Sequence, residues 1–423
     1  MKCQKIAALV LAAGSILNTL PAFAQETSVY EIKSKEDLFA LKEQESVGSV
    51  RLCADLDLSG MNAEQYLIPS LAGTFDGGGH TISNLKLAGK TGNWGTTYNT
   101  GLIGELTGTV TNLNLENITI EEGSCGFSYV GTIAGFIPDG HTAAVDQCTV
   151  TGNISISSGS QLYIGALVGG VSGMINQDSS LTVQSCVSSV TISGSSSGYA
   201  GGILGYVGYY CTLDLSNSAI LGNLSNGTVC GIIGYAPSKD AKLHLNNSYY
   251  AGKLSGSGKK RIITHNISEL SELTCQNVYY DSQKNSYTDT LNKGYSSVTG
   301  ITGYKTAELP EKVLKSDIFE IRPGEFNGYP VPKRAETAPD WGISFSGNNA
   351  VVSAAEDGTY YVIFAAYKGK TLKSAAMIKN TFTAGETTVT APSAFVTDGA
   401  DTVRAMLLDS PETLHPLTPA ATK

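Results

Sequence analysis

The sequence predicts an all-β protein in which a right-handed parallel β-helix is followed by a small β-sandwich. Three observations point to this fold class. A glycine-containing motif recurs about every 30 residues, the segments between its copies alternate apolar and polar residues, and this repetition stops near residue 335. Self-similarity at a period of about 20–50 residues is typical of solenoids, and alternation with a period of two is typical of strands.

The first 24 residues are predicted to be a secretory signal peptide. Two lysines precede an apolar stretch, and the sequence AFA at positions 22–24 fits a cleavage site before Gln25. A retained membrane anchor is the alternative, but the apolar run is short for a span and is interrupted by Asn18 and Pro21. We therefore expect a secreted, extracellular protein that is not inserted in a membrane after signal removal.

The charge of the chain disfavours two classes of partner. The sequence has 28 basic and 37 acidic residues, for a formal net charge of −9, and loss of residues 1–24 would remove two lysines and no acid. Nucleic-acid binding requires a basic face, and anionic membrane surfaces attract basic segments. Neither partner is expected.

Residues 25–335 are assigned to the β-helix, and its first element is predicted to be a capping helix. In the segment SKEDLFALKEQE, Ser34 and Asp37 have capping-box spacing. Leu38 and Leu41 of the same segment supply an apolar face.

The next two segments predict strands. SVRLCADLDLSG alternates apolar and polar residues throughout and indicates one strand. GTFDGGGHTISNLKLAG indicates a strand, a glycine turn and a second strand. The acid and the histidine of DGGGH could suggest an active site, but a tight turn between two strands is the simpler explanation.

The repeats themselves combine a glycine motif with a strand-like segment. The motif occurs as TGLIGEL, YVGTIAGFI, YIGALVGGV, YAGGILGYV and TVCGIIGYA, and its closing glycines are Gly104, Gly135, Gly169, Gly205 and Gly234. Strand-like segments such as QCTVTGNISI and SCVSSVTISG follow the motif. We expect each repeat to form one coil of short parallel strands, with right-handed connections. A series of antiparallel sandwiches is the alternative, and the regular period argues against it.

Glycine inside a β pattern has two structural explanations. It can provide a bend with positive φ, or it can allow another backbone to approach closely. A phosphate-binding loop is not expected, because these glycines do not precede a helix and no GK[S/T] follows them.

The cysteines are predicted to be core residues. Seven would remain after signal removal, no CxxC pair occurs, and the five histidines lack zinc-ligand spacing, so no metal site is predicted. Cys148 and Cys186 occupy matching repeat positions that Ser218 and Ser248 take later in the chain. A column of small buried side chains explains this pattern, and a disulfide is the alternative.

From Tyr30 to Lys333 these motifs resemble the GLUG-motif repeat family of secreted and surface bacterial proteins. VGTIAG, IGALVG and AGGILG carry the resemblance, and YKTAEL and FNGYPV resemble the close of such regions. VCGIIG departs from the pattern because Cys230 stands where a glycine is usual. The resemblance implies a β-helical, adhesin-like protein and supplies no catalytic residues.

Residues 336–423 are predicted to form the β-sandwich. Strand-like segments such as GTYYVIFAAY and DTVRAMLLDS are separated by turn signals. This part resembles accessory sandwich modules of secreted proteins from clostridia-like bacteria, which include carbohydrate-active proteins.

The serious enzymatic alternative is a polysaccharide lyase or a glycoside hydrolase on a β-helix scaffold. Lyases of that architecture commonly use an arginine base, but the five arginines all lie outside Gly101–Leu254. Glycosidases need paired carboxylates, and the acids of the repeats recur at no common position. No catalytic residue and no cofactor are predicted.

Tyrosines are the candidate ligand-binding residues. Tyr129, Tyr163 and Tyr199 precede the glycine motif at one common position, and Phe136, Tyr206 and Tyr235 share another position just after its closing glycine. Stacked coils would turn each set into a ladder with about 4.8 Å between rungs. Exposed ladders could stack on sugar rings, whereas buried ladders would pack on each other and stabilise the coil.

The sequence thus predicts a secreted, non-catalytic, adhesin-like protein that binds an extracellular glycan or surface protein. The enzymatic alternative remains open. A third possibility is a structural spacer that presents the C-terminal module.

Overall fold

A computed structural model provides the architecture. The structure describes residues 29–90, 97–122, 127–157, 162–194, 198–237, 240–266, 270–286, 298–334, 342–347, 349–354, 357–383, 385–410, 417 and 421–422. The chain separates into two compact units, one that ends at Arg334 and one that follows it. No helix in these ranges is long and apolar enough to cross a membrane.

The first unit is a parallel β-solenoid of about six turns, which confirms the predicted fold class. A complete coil visits four parallel sheets, which we number 1 to 4 in the order that the coil of residues 97–122 meets them. The strands of sheet 1 are Thr97–Thr100, Phe127–Val130, Leu162–Gly165, Tyr199–Gly201, Thr228–Cys230 and Lys260–Arg261. The strands of sheet 2 are Ile68–Leu71, Ile103–Leu106, Ala134–Ile137, Val168–Val171, Leu204–Val207, Ile233–Tyr235 and Thr264–His265.

Sheets 3 and 4 complete each coil. The strands of sheet 3 are Tyr30–Ile32, Val50–Leu52, Thr74–Asp76, Thr109–Thr111, Thr142–Asp146, Ser179–Gln184, Cys211–Ser216, Lys242–Asn246 and Glu272–Gln276. The main strands of sheet 4 are Leu56–Asp57, Thr81–Ser83, Asn114–Glu122, Thr149–Ile156, Val187–Gly194, Ala219–Ile220, Tyr249–Tyr250, Val278–Asp281 and Ile301–Tyr304. Asn62–Glu64, Lys86–Ala88 and Leu224–Ser225 extend it laterally.

Aliphatic side chains from successive coils form one continuous core inside the solenoid. Ile133, Leu167, Ile203 and Ile232, the central aliphatic residues of the glycine motif, are all fully buried. Because one coil cannot bury its inner face alone, each coil depends on its neighbours for this core.

The corner between sheets 3 and 4 is built from polar residues in the left-handed conformation. Asn217, Asn247 and Asn277 have φ values of 52°, 43° and 52°. The Asn277 amide donates to Asn247 Oδ1 at 2.9 Å, and the Asn247 amide donates to Asn217 Oδ1 at 3.3 Å. Asparagine tolerates this conformation better than most residues, so these bends need no glycine.

The predicted column of small buried side chains follows that corner. Cys148, Cys186, Ser218 and Ser248 are at most 1 % exposed. Ser218 Oγ accepts from the Cys186 backbone N–H at 3.1 Å, and Ser248 Oγ accepts from the Ser218 backbone N–H at 3.1 Å. This confirms the core interpretation of these two cysteines.

The closing glycines allow another backbone to approach closely, and they do not provide a bend with positive φ. None of Gly135, Gly169 or Gly205 has a positive φ. A Cβ on Gly205 would lie 2.5 Å from the Ile164 backbone nitrogen and would overlap the Gly169 carbonyl oxygen. The motif therefore bends sheet 2 back against the backbone of sheet 1. Of the two explanations for glycine inside a β pattern, only the close approach of another backbone applies to these residues.

The predicted helix forms, but it is not the first element, because the strand Tyr30–Ile32 precedes it and pairs with Val50–Leu52. The strand predicted after the helix is divided in two. The helix spans Lys35–Ala40 and continues as a 3-10 turn, Leu41–Glu43; Ser34 and Asp37 make the reciprocal capping box. The alternating segment predicted as one strand is divided into Val50–Leu52 and Leu56–Asp57, which belong to different sheets. A period-two pattern continues across a solenoid corner, so it does not mark the bend.

The end of the unit packs on the outer face of sheet 4. It contains the helix Leu309–Val313, the 3-10 turn Phe326–Gly328 and a two-stranded antiparallel pair, Phe319–Glu320 with Val331–Pro332. Leu309 and Phe319 join Tyr249 in a separate apolar cluster. The buried Tyr249 hydroxyl donates to the Pro330 carbonyl oxygen.

The second unit consists of two antiparallel sheets that share a core, in agreement with the predicted β-sandwich. One sheet contains Gly342–Ser346, Asn349–Ala354 and Gly385–Thr390, and the other contains Thr371–Phe382, Gly358–Lys368, Thr402–Leu408 and Ala421–Thr422. Their common core includes Val352, Phe364, Phe382, Val389 and Leu407.

The closing glycines provide a stability test. Gly205→Ala should lower the free energy of unfolding by about 1–3 kcal/mol or more, because the new methyl group meets only backbone atoms that cannot move independently. Gly48→Ala is the matched control, since a Cβ there has no atom within 4 Å. Denaturant unfolding measures both. Equal stability of the two variants would contradict this account of the motif.

Candidate functional site

The junction of sheets 1 and 2 collects all five predicted tyrosines. Tyr129, Tyr163 and Tyr199 are in register on neighbouring strands of sheet 1. Tyr206 and Tyr235 are in register on sheet 2. The two ladders expected from the sequence are therefore present, and the fold brings them face to face.

The rings of the two ladders interlock. Ring centroids are 4.4 Å apart for Tyr129 and Phe136, 4.6 Å for Tyr163 and Tyr206, and 4.2 Å for Tyr199 and Tyr235. We call this continuous run the aromatic spine. Its members are Phe127, Tyr129, Phe136, Tyr163, Tyr199, Tyr206, Tyr235 and His265.

Gly170 explains how the spine accommodates Tyr129. Gly170 occupies the ladder position between Phe136 and Tyr206 on sheet 2. A Cβ on Gly170 would lie 2.5 Å from Cδ1 of Tyr129. The absent side chain leaves the space that this ring fills.

Two members of the spine were missed at the sequence level. The His265 ring stacks on Tyr199 and Tyr235 at 5.7 Å and 6.0 Å, and Phe127 packs edge-on against Tyr129 and Tyr163. His265 lies 30 residues after Tyr235, so the repeat period alone could have placed it in the ladder. Phe127 has no counterpart in the other repeats, and no sequence signal identified it.

Burial divides the spine into an inner and an outer part. Tyr129 and Tyr163 are only 7 % and 9 % exposed, whereas Tyr199, Tyr206 and Tyr235 are half-buried. Aromatic pairs of this kind stabilise the fold. The half-buried rings in addition keep part of their surface available to a ligand.

Burial also controls the chemistry of the phenols. Desolvation is the main cause that raises the pKa of Tyr129, Tyr163 and Tyr199, and neighbouring spine phenols add to the shift. These three hydroxyls are therefore neutral over the physiological range. Neutral phenols of this kind donate and accept hydrogen bonds and are poor candidates for a phenolate base.

The first rung of the same junction is polar. Asn99 is in register with Tyr129, and Glu105 is in register with Phe136. The Asn99 amide donates to Glu105 Oε1 at 3.4 Å. The spine thus begins next to a carboxylate.

The histidine–acid contacts elsewhere suit ion pairing better than catalysis. His244 Nδ1 lies 2.7 Å from Asp214 Oδ1, and its Nε2 lies 3.5 Å from Glu272 Oε1. A catalytic triad needs one imidazole nitrogen to face the nucleophile, but both nitrogens of His244 face carboxylates. The DGGGH segment forms the expected turn, in which His80 Nδ1 lies 3.2 Å from Asp55 Oδ1.

Four of the described cysteine thiols are poorly suited to nucleophilic chemistry. Burial raises the pKa of Cys211 and of Cys275 to about 12, and it raises the pKa of Cys186 and Cys230 as well. The thiolate is the reactive form. Among the described residues, no group of three or more His, Cys, Asp and Glu side chains could hold a metal ion.

A cavity of about 430 Å³ lies beside the last strand of sheet 3. The described residues that line it include Leu273, Cys275 and Val298, and their single carboxylate belongs to Glu272. A glycosidase site needs two carboxylates, so this lining does not favour that chemistry.

Comparisons with known proteins support the fold. No family model matches the chain, and no curated protein matches it. A solved structure of "a putative immunoglobulin A1 protease from Bacteroides ovatus" is similar, with a TM-score of 0.54 and 22 % sequence identity. The similarity covers 74 % of this chain and 94 % of that one. At this level of identity the likeness shows a shared β-solenoid architecture.

The buried phenols predict an alkaline loss of stability. A phenol in the unfolded chain ionises near its ordinary pKa of about 10, while burial keeps Tyr129 and Tyr163 protonated in the folded chain. The contribution of these two phenols is fully present below pH 10 and is lost as the pH rises above it. The double variant Tyr129→Phe/Tyr163→Phe should show a shallower loss of stability.

Denaturant unfolding between pH 8 and about 11 measures this slope. Tyr209→Phe is the control, because that side chain is 53 % exposed and its hydroxyl meets water in both states. An identical slope for the double variant and the wild type would contradict the burial of the two phenols.

Proposed function

We propose that the protein is a secreted, non-catalytic binding protein whose aromatic spine recognises extracellular glycans. The observation that carries this proposal is the set of half-buried tyrosines Tyr199, Tyr206 and Tyr235, in which the Tyr235 ring of one coil contacts the Tyr199 and Tyr206 rings of the coil before it. Their positions are fixed by the backbone register of sheets 1 and 2. The site is thus rigid before a ligand arrives, which reduces the entropy cost of binding.

The chemistry of these side chains suits carbohydrates. A sugar ring presents C–H groups on its faces and hydroxyls at its edge. Tyrosine offers an apolar ring for the former and a hydroxyl for the latter, and it loses little conformational entropy on binding. Rungs about 4.8 Å apart allow an extended chain of sugars to contact several rings along the solenoid axis.

The electrostatic environment of His244, Cys211 and Cys275 favours binding over hydrolysis. Both nitrogens of His244 face carboxylates, and burial raises the pKa of Cys211 and Cys275 to about 12. The similar solved structure is called a putative immunoglobulin A1 protease. Proteolysis of the serine or cysteine type would need a nucleophile next to a free base, and neither His244 nor these two cysteines favour it.

Secretion and an adhesin-like role complete the proposal. They rest on the signal-like segment before Gln25 and on the resemblance of the repeats to the GLUG-motif family. A surface protein of a host or neighbouring cell is the alternative ligand. Under the spacer alternative, the solenoid would bind nothing and only the C-terminal unit would contact a ligand.

The proposal can be tested with residues 25–423 on a panel of soluble and insoluble polysaccharides, with product release assayed in the same wells. We expect binding without product. The double variant Tyr206→Ala/Tyr235→Ala should weaken that binding at least tenfold, because it removes two partly exposed rings of the spine.

The matched control is Tyr279→Ala. Tyr279 is also half-buried and pairs with Tyr304 at 5.6 Å, but it lies on sheet 4. Near-ultraviolet circular dichroism would verify folding of each variant. Absence of glycan binding would overturn the proposal, and product release abolished by a single acid substitution would favour the enzymatic alternative.

A further inference from the structure

The connection between sheets 2 and 3 is extended in one central coil. Seven residues, 172–178, join the strands Val168–Val171 and Ser179–Gln184. The corresponding connection has four residues in the preceding coil and three in the following coil. The solenoid can therefore close this corner without the extra residues, and stacking of the coils does not explain them.

The extra residues form a small hairpin with a defined backbone. The Met174 N–H donates to the Gln177 carbonyl oxygen at 3.1 Å, and the Gln177 N–H donates to the Met174 carbonyl oxygen at 2.8 Å. Ile175 and Asn176 form the turn, where Asn176 has a φ of 66°, a conformation that asparagine tolerates. We call residues 173–177 the corner hairpin.

The loops of both neighbouring coils pack against the corner hairpin. A Cβ on Gly173, at its base, would lie 2.8 Å from the carbonyl oxygen of Tyr209 in the following coil. A Cβ on Gly140, in the preceding coil, would lie 3.6 Å from the Gln177 Cβ. The hairpin is thus supported on two sides and has a fixed position on the surface of the solenoid.

This supported hairpin presents apolar side chains to solvent. Met174 is 55 % exposed and Ile175 is 69 % exposed, and Tyr209 on the adjoining loop is 53 % exposed. Single exposed apolar residues are common on protein surfaces. Here, however, two of them are carried by an insertion that adds nothing to the core, and the third lies beside it. Grouped apolar side chains of this kind mark interaction surfaces.

The surroundings of the corner hairpin are acidic. Residues 91–238 contain eight acidic residues and no lysine or arginine, so their formal charge is −8. Asp178 is exposed at the end of the hairpin, and Asp139 is half-buried in the loop of the preceding coil. Within the described ranges, neither carboxylate forms an ion pair. Lys242 lies two coils beyond Ser180 on sheet 3, which is roughly 10 Å at about 4.8 Å per coil.

We propose that the corner hairpin and Tyr209 form a docking site for a basic amphipathic peptide segment of a partner protein. Apolar side chains of the segment cover Met174, Ile175 and Tyr209, and its lysine or arginine side chains face Asp139 and Asp178. Complementary charge selects such a partner over an acidic one. The site contains no member of the aromatic spine, so this inference goes beyond the proposed glycan binding and does not depend on it.

The charge of this region favours a basic peptide over two other occupants. Anionic membrane surfaces attract basic segments, and they would repel the carboxylates beside the hairpin. Pairing of two corner hairpins in a dimer of this chain would bring like charges together, which is unfavourable. A basic amphipathic segment matches both the apolar side chains and the carboxylates.

The test measures binding of residues 25–423 to three labelled peptides of equal length by fluorescence anisotropy. One peptide is an amphipathic helix of lysine and leucine, the second has glutamate in place of lysine, and the third has serine in place of leucine. We expect the lysine–leucine peptide to bind about tenfold or more tightly than either of the others. Added salt should weaken this binding without abolishing it, because salt screens only the charges.

Two variants locate the binding site. Met174→Ser/Ile175→Ser should weaken binding of the lysine–leucine peptide about tenfold or more, because two apolar contacts are lost. Asp178→Asn should weaken it less and should reduce its salt dependence.

Ile321→Ser is the matched control. Ile321 is another exposed isoleucine of the same unit, 46 % exposed, and it lies between the strand Phe319–Glu320 and the 3-10 turn Phe326–Gly328. Its substitution should leave the affinity unchanged. Thermal unfolding would verify that each variant is folded, which is expected for substitutions of exposed side chains.

Several results would overturn the docking site. These are absence of binding by the lysine–leucine peptide, equally tight binding of the other two peptides, and unchanged affinity in Met174→Ser/Ile175→Ser. Binding to vesicles of phosphatidylcholine and phosphatidylglycerol that this variant loses would assign the hairpin to a lipid surface instead. A dimer that the variant converts to monomers in analytical ultracentrifugation would assign it to a second copy. The peptides contain no sugar, so none of these results bears on glycan binding.

Discussion

The contact between the backbones of sheets 1 and 2 is the constraint on which the rest of the solenoid depends. At each closing glycine a Cβ would collide with main-chain atoms of the preceding coil. The absent side chain lets the chain fold back sharply. That fold brings the outer surfaces of the two sheets together at their junction. The tyrosines fill this junction, so the motif that looks like a weak β-strand determines where the aromatic residues meet.

Much of this arrangement could be predicted from the sequence because a repeat has few ways to stack. The period places Tyr129, Tyr163 and Tyr199 in one column, and the same argument accounts for the buried column that contains Cys148 and Cys186. The capping box at Ser34 depends on only four residues and formed as expected.

The corners were harder to predict, for a physical reason. Residues 50–58 alternate without interruption, yet the chain bends between Leu52 and Leu56. An alternating pattern shows which side chains point inward, and side chains continue to alternate between the inside and the outside when the chain bends. The contact between the two tyrosine ladders was equally hidden, because it depends on the angle between two sheets. The sequence pattern contains no information on that angle.

Under the proposed function, the aromatic spine would combine support and recognition in one element, and burial would decide which task dominates at each ring. Tyr129 and Tyr163 are almost fully enclosed, and their main effect is on stability. Tyr199, Tyr206 and Tyr235 are less enclosed and lie in later coils of the solenoid. If these rings bind a ligand as proposed, the packing of the spine holds the binding surface in shape without a separate loop.

The interlocking of the rings should also affect how the solenoid unfolds. In a simple repeat array each coil contacts only its nearest neighbours, and the ends can fray one coil at a time. Here the Tyr129 ring reaches Tyr206, and Tyr163 reaches Tyr235, in each case two coils further on. Unfolding of one coil therefore removes ring contacts from a coil two positions away, which its backbone does not contact. Such second-neighbour coupling lengthens the cooperative unit, so the central coils should melt together as one block.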